Sequence, residues 1–103
     1  MGRIIIIVPT PLQQYAGAQN TVEVDAATVN SALSELTRRH PALRRHLFGD
    51  DGQLRSFVNI YLNDEDIRYL GGEGAGVESG DEIRIVPSIA GGNAATRNQS
   101  RWI

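Results

Sequence analysis

The chain closes with RIVPSIAGGNAATRNQSRWI, residues 84–103, and this stretch decides how the rest is read. A hydrophobic run stops at Ala90, Gly91 and Gly92 follow, and residues 93–103 are mostly polar. If residues 82–89 form the last strand, the fold ends just before a pair of glycines. A glycine pair there has a plain reading, a flexible exit into an ordinary tail. It also has a chemical one. Lacking Cβ atoms, Gly-Gly can lie extended in a tunnel too narrow for any side chain. A terminal glycine carboxylate in such a tunnel can be reached by a nucleotide phosphate and activated as an acyl-adenylate.

Working back from that strand, residues 71–81, GGEGAGVESGD, form a glycine-rich connection. Residues 67–70, IRYL, read as a short strand, and NDED before them as a polar hairpin turn. FVNIYLN, residues 57–63, alternates Val58, Ile60 and Leu62 with Phe57, Asn59, Tyr61 and Asn63, the period of a half-buried strand. Residues 49–53 are a turn cluster. Pro41 opens a short helix that turns Leu43, Leu47 and Phe48 inward.

The dominant helix begins after Thr28, a suitable N-cap. Val29, Ala32, Leu33 and Leu36 make one apolar stripe, and Arg38, Arg39 and His40 complement the dipole at its end. Residues 21–26, TVEVDA, alternate as a half-exposed strand. Residues 9–20, with two prolines, read as a loop, and 3–8, RIIIIV, as a central strand. The order is β-β-α-β-β-β. An α+β fold satisfies it, with a mixed four- or five-stranded sheet packed on one main helix. Residues 1–92 then form one domain, and 93–103 a C-terminal extension without apolar pattern.

Composition removes whole classes of chemistry. The 103 residues are 41% hydrophobic, ordinary for one globular domain. Cysteine is absent, so disulfides, thiolate metal sites and a cysteine nucleophile are all excluded. A net charge of −2 offers no footprint for nucleic acid. No apolar run is long enough to span a bilayer, and the start lacks a signal-peptide h-region, so no membrane association and a cytoplasmic location are expected. All ten basic residues are arginine.

Inside the globule little looks catalytic. Asp64, Glu65 and Asp66 lack the spacing of a cation loop and read as a solvated turn. His40 and His46 read as surface histidines without metal-ligand spacing, and no metal is expected. GGEGAG matches neither phosphate-loop fingerprint and leads into a strand rather than a helix.

The ending DEIRIVPSIAGG, on this element order, resembles the ubiquitin-like β-grasp sulfur carriers of the ThiS/MoaD family. FVNIYLNDEDIRYLGG with SGDEIRIVPSIAGG is similar to the CysO-type carriers of cysteine biosynthesis, and the likeness runs over residues 3–92. The resemblance implies a carrier rather than an enzyme, with no bound cofactor. An E1-like adenylyltransferase of the MoeB/ThiF type would use ATP to adenylate the Gly92 carboxylate. A sulfurtransferase would supply sulfur, leaving a Gly92 thiocarboxylate. A PLP-dependent cysteine synthase would accept the sulfur, and a JAMM-type metallopeptidase would release the product. Thiamine, molybdopterin and sulfur-containing natural products are alternative destinations, and conjugation to proteins through Gly92 is a further one.

Ala90, Gly91 and Gly92 would enter the activating enzyme, while Phe57, Ile85 and Ile89 would form an apolar docking patch. Such carriers usually end at the diglycine, whereas here Asn93 follows. With Asn93 attached, Gly92 has an amide and no carboxylate to activate. Cleavage between Gly92 and Asn93 is therefore expected, unless residues 93–103 are an artificial addition, though they match no common tag. That cleavage removes Arg97 and Arg101, taking the balance to eight arginines against twelve acids, or −4. A third reading is an interaction module whose diglycine is incidental.

Overall fold

The structure, a computed structural model, describes residues 2–87. Five strands form one sheet in the order β2-β1-β5-β3-β4: β1 Gly2–Ile7, β2 Thr21–Ala26, β3 Val58–Leu62, β4 Glu65–Asp66 and β5 Glu82–Pro87. One long helix, α1 Val29–Arg39, packs on it, and a single turn, α2 Arg44–Leu47, follows. β5 lies between β1, which it pairs in parallel, and β3, which it pairs antiparallel. The sheet is therefore mixed, as expected.

The core follows from the two periodicities in the sequence. Ile4, Ile6, Val22, Val24, Val58, Ile60, Ile83 and Ile85 are the alternate strand residues that face inward, and all are buried. Val29, Ala32, Leu33 and Leu36 meet them from α1, fully buried. Ile5 and Ile7, on the other face of β1, are only half-buried, so β1 is central without being enclosed on both sides. Leu43, Leu47 and Phe48 close the end of the core, as their spacing predicts.

α1 starts where Thr28 and Ser31 exchange bonds. Ser31 N–H donates to Thr28 Oγ1 at 3.1 Å and Thr28 N–H to Ser31 Oγ at 3.0 Å. A third orphan donor, Val29 N–H, reaches the carbonyl of Ala75 at 3.0 Å. That bond changes the reading of the glycine-rich segment. It is not a loose connection: Ala75 and Val77 are buried, Val77 N–H donates to the Ala27 carbonyl, and Thr28 bridges Gly76. Gly71 and Gly72, at φ +100° and +75°, make the bend that lays this strap against the helix start. The segment offers carbonyls to the helix, not N–H groups to a phosphate.

Two further expectations need correction. Residues 67–70 are not a strand. The short strand lies earlier, at Glu65–Asp66, because Asn63 and Asp64 at φ +50° and +71° make a two-residue hairpin that returns the chain at once. Asp66 then caps a 3-10 turn over Ile67–Tyr69, accepting from Arg68 N–H at 2.9 Å and pairing the Arg68 guanidinium at 2.6 Å. Asp66 is thus buried and engaged rather than solvated, and its carboxyl is held below the usual carboxylate range by those Arg68 hydrogen bonds. The proline-rich segment after β1 is likewise not a bare loop: Thr10–Tyr15 is a 3-10 helix entered through Pro9 and Pro11, with Leu12 buried.

On the exposed side of α1, Glu35 accepts from both Arg38 and Arg39, and these hydrogen bonds lower its carboxyl from 4.5 to about 2. A depressed folded-state value means that stabilisation is complete above 4.5 and lost as the pH falls toward 2. Unfolding by urea across that window should show the wild type converging on Glu35→Gln as acid is added, with the gap shrinking in high salt. A gap unchanged at low pH would contradict the pairing.

Candidate functional site

The expected site lies where β5 ends. Ile89, Ala90, Gly91, Gly92 and Asn93 fall outside the described residues, so the structure addresses the root of the tail, Pro87, and the surface around it. β5 is held on both sides along Glu82–Arg84, but β1 leaves it after the Ile7–Arg84 pair, turning away at Val8 and Pro9. β3 continues alongside through Asn59–Val86 and Val58–Pro87. The last residues of β5 therefore have a neighbour on one side only. Proline suits the final position, since it has no N–H to leave unpaired.

Two clefts share Pro87. One, of about 310 Å³, lies on the side that β1 vacates, among Ile7, Pro9, Pro11, Arg84, Ile85, Val86 and Pro87. The other, of about 340 Å³, lies among Leu12, Arg45, His46, Arg55, Phe57 and Pro87. Pro87 thus lies between two recesses with apolar floors, one carrying Arg45 and Arg55 at its rim and the other Arg84.

The residues expected to dock partners divide here. Phe57 is 43% exposed, immediately before β3, with the Arg55 guanidinium 6.0 Å over its ring. Ile85 is 2% exposed and belongs to the core. That corrects the expected patch: Ile83 and Ile85 share a parity that faces α1, so the outward residues of β5 are Glu82, Arg84 and Val86. Val86 and Ile7, both half-buried, supply the apolar surface that was assigned to Ile85. Parity with Ile83 was the available signal.

His46 also departs from expectation. Its ring stacks on Tyr15 at 4.1 Å between centroids, and its Nε2 is buried with no hydrogen-bond partner among the described residues. His40 caps the end of α1, its N–H donating to the Leu36 carbonyl. Among the described residues no group of three His, Cys, Asp or Glu side chains is placed to hold a metal ion, and no helix is long and apolar enough to cross a membrane.

The sequence profile of the ThiS family matches residues 6–92, nearly the whole globule and the segment through the diglycine. The chain belongs to the ThiS family. The sulfur carrier protein CysO of Mycobacterium tuberculosis is 34% identical over 91 residues, covering 86% of this chain and 98% of that protein. Small archaeal modifier protein 1 of Haloferax volcanii is 39% identical over 84 residues, covering 79% of this chain and 91% of that protein. Among solved structures, a chain of the Amycolatopsis orientalis BexX/CysO complex superposes with a TM-score of 0.78 at 36% identity, covering 86% of this chain and 99% of that one. The fold is the ubiquitin-like β-grasp, and the relatives are sulfur carriers and ubiquitin-like modifiers rather than catalysts.

Two truncations separate core from surface at the tail root. Ile85→Ala should cost about 2–5 kcal/mol in denaturant unfolding, and Phe57→Ala less than about 1 kcal/mol. Comparable losses for the two would mean that the faces of β5 and β3 are wrongly assigned.

Proposed function

We propose that this chain is a sulfur carrier whose working group is the carboxylate of Gly92, exposed by cleavage between Gly92 and Asn93. The observation that carries the reading is positional. The diglycine ends five residues beyond Pro87, the end of a central strand, and the family match extends through Gly92. Fully extended, those residues reach about 17 Å from the sheet. A globule held by β5 then acts as a handle, and a tip without side chains enters an activating channel.

In the cycle, an E1-like enzyme of the MoeB/ThiF type joins the Gly92 carboxylate to the α-phosphate of ATP, with pyrophosphate leaving. Hydrosulfide, released from a sulfurtransferase persulfide by a thiol reductant, displaces AMP and leaves a thiocarboxylate. A chain without cysteine can store sulfur in that form without a side-chain thiol competing for it. Cysteine is the favoured product, made on a PLP-dependent synthase and released by a JAMM-type peptidase, because CysO relatives match over most of the chain. A peptidase of the same type is the candidate for removing residues 93–103. Phe57 and Ile89 remain docking residues in this reading, with Val86 in the place of Ile85.

A second reading, conjugation of Gly92 to other proteins, is favoured by the likeness to the Haloferax modifier. It shares the adenylation step. The absence of lysine means this chain offers no side-chain amine for lysine-linked chains of itself.

Residues 1–92 with an E1-like enzyme, ATP and a sulfur donor should release AMP and gain the mass difference between sulfur and oxygen. Gly92→Leu should lower both by at least about a hundredfold, since a misfitted tip forfeits the alignment the reaction needs. Undiminished turnover would overturn the assignment of Gly92, and isopeptide-linked targets in place of a thiocarboxylate would favour the modifier.

A further inference from the structure

Net charge hides an asymmetry at the root of the tail. Residues 2–87 contain eight arginines, and five are matched to carboxylates: Arg3 to Glu23, Arg38 and Arg39 to Glu35, Arg68 to Asp66, and Arg84 to Glu82. The other three, Arg44, Arg45 and Arg55, have no carboxylate partner among the described residues, and all lie in the connection between α1 and β3. Two of them, with His46, rim the 340 Å³ cleft at Pro87, which no acidic residue lines. The nearest acids in sequence, Asp50 and Asp51, line a neighbouring recess that Arg44 and Arg45 also line, without an ion pair to either, and Asp51 is engaged by Gln53 N–H in its own turn.

One arginine of this rim, Arg55, is held in place. Arg55 Nε–H donates to the Arg45 carbonyl at 2.7 Å, and its guanidinium lies over the Phe57 ring. Arg55 N–H in turn donates to the Leu47 carbonyl at 2.8 Å, which fixes the backbone that carries it. A guanidinium pinned through one edge keeps its remaining N–H groups for a ligand and loses little freedom on binding. Beneath are Leu12, Phe57 and Pro87, an apolar floor with a cationic rim.

We infer that the cleft bounded by Arg45, Arg55, His46 and Phe57 docks an acidic segment of the protein that receives the tail, a carboxylate on the arginines with an apolar neighbour on Phe57. The inference rests on the proposed role of the tail for the partner's identity, but not for the chemistry of the cleft. Charge favours another molecule over the chain's own end: residues 93–103 carry Arg97 and Arg101 and no acidic residue. Trimming makes the whole chain more acidic, so attraction to an acidic partner must come from this rim. It then fixes orientation at the point where the tail leaves, more than overall attraction does.

The test uses the full chain and a defined probe, an acetylated and amidated Asp-Glu-Leu-Glu-Phe-Asp peptide, followed by backbone amide NMR. Shifts should concentrate on Leu12, Arg45, Arg55 and Phe57. R45E/R55E should weaken binding at least about tenfold, while R3E/R38E, with the same change in net charge, should weaken it less than about twofold. The milder R45Q/R55Q pair should fall between them, with the amide spectrum reporting that the fold is intact. Shifts elsewhere, equal losses in both reversal pairs, or equal binding of a probe with lysine at its acidic positions would overturn the inference. If the peptide docks as expected but residues 1–92 are not adenylated, the carrier reading fails and the cleft assignment stands. Adenylation without docking gives the converse.

Discussion

The pairing of β5 is the constraint on which the rest depends. Its first half is held by β1 on one side and β3 on the other, and its last residues by β3 alone. Ile83 and Ile85 anchor it in the core against the stripe of α1. At its start, Asn63 receives Glu82 N–H on its side-chain oxygen and donates its own backbone N–H to the Glu82 carbonyl, both near 3 Å. A one-residue slip would reverse every side chain of the strand and separate the tail root from the clefts beside it. The fold thus fixes where the tail begins, and a reagent that pulls on the tip works against a strand locked in a sheet.

Chemistry is kept away from this scaffold. Asp66 is committed to a cap with Arg68, Glu35 to two arginines, and the carbonyl of Ala75 to the start of α1. The glycine-rich strap that might have held phosphate is spent on the helix instead. Near the end of β5, among the described residues, lie the arginines of the α1–β3 connection, which have no carboxylate partner, with exposed Phe57 and the half-buried Ile7 and Val86. The proposed carrier role needs this division, because such a chain would be recognised as a surface while reacting through a few backbone atoms beyond it.

Much of this was legible in the sequence. The stripe Val29, Ala32, Leu33 and Leu36 and the alternation of residues 58–62 stated the helix and β3 directly, since each follows one periodicity with one buried face. The diglycine after the final strand, with the motif around it, identified the family. What failed to show was whatever depends on partners distant in sequence. The glycine-rich segment reads as a loose loop until α1 is beside it to donate Val29 N–H to the Ala75 carbonyl. IRYL has strand composition, but the hairpin at Asn63 and Asp64 spends the pairing two residues earlier. His46 reads as a surface residue until Tyr15 is found under it. Ile85 shares the inward parity of Ile83, and that signal is present in the sequence. The unpaired arginines could be counted in the sequence, but only the ion pairs of the folded chain show which ones are left.

The central claim is that Gly92, not residue 103, is the end that works. The most direct measurement is the intact mass of this chain isolated from its own cells under conditions that preserve acyl sulfides. The account predicts a chain terminating at Gly92, part of it carrying sulfur in place of one carboxylate oxygen. A sulfur-loaded chain that still retains Ile103 would contradict it.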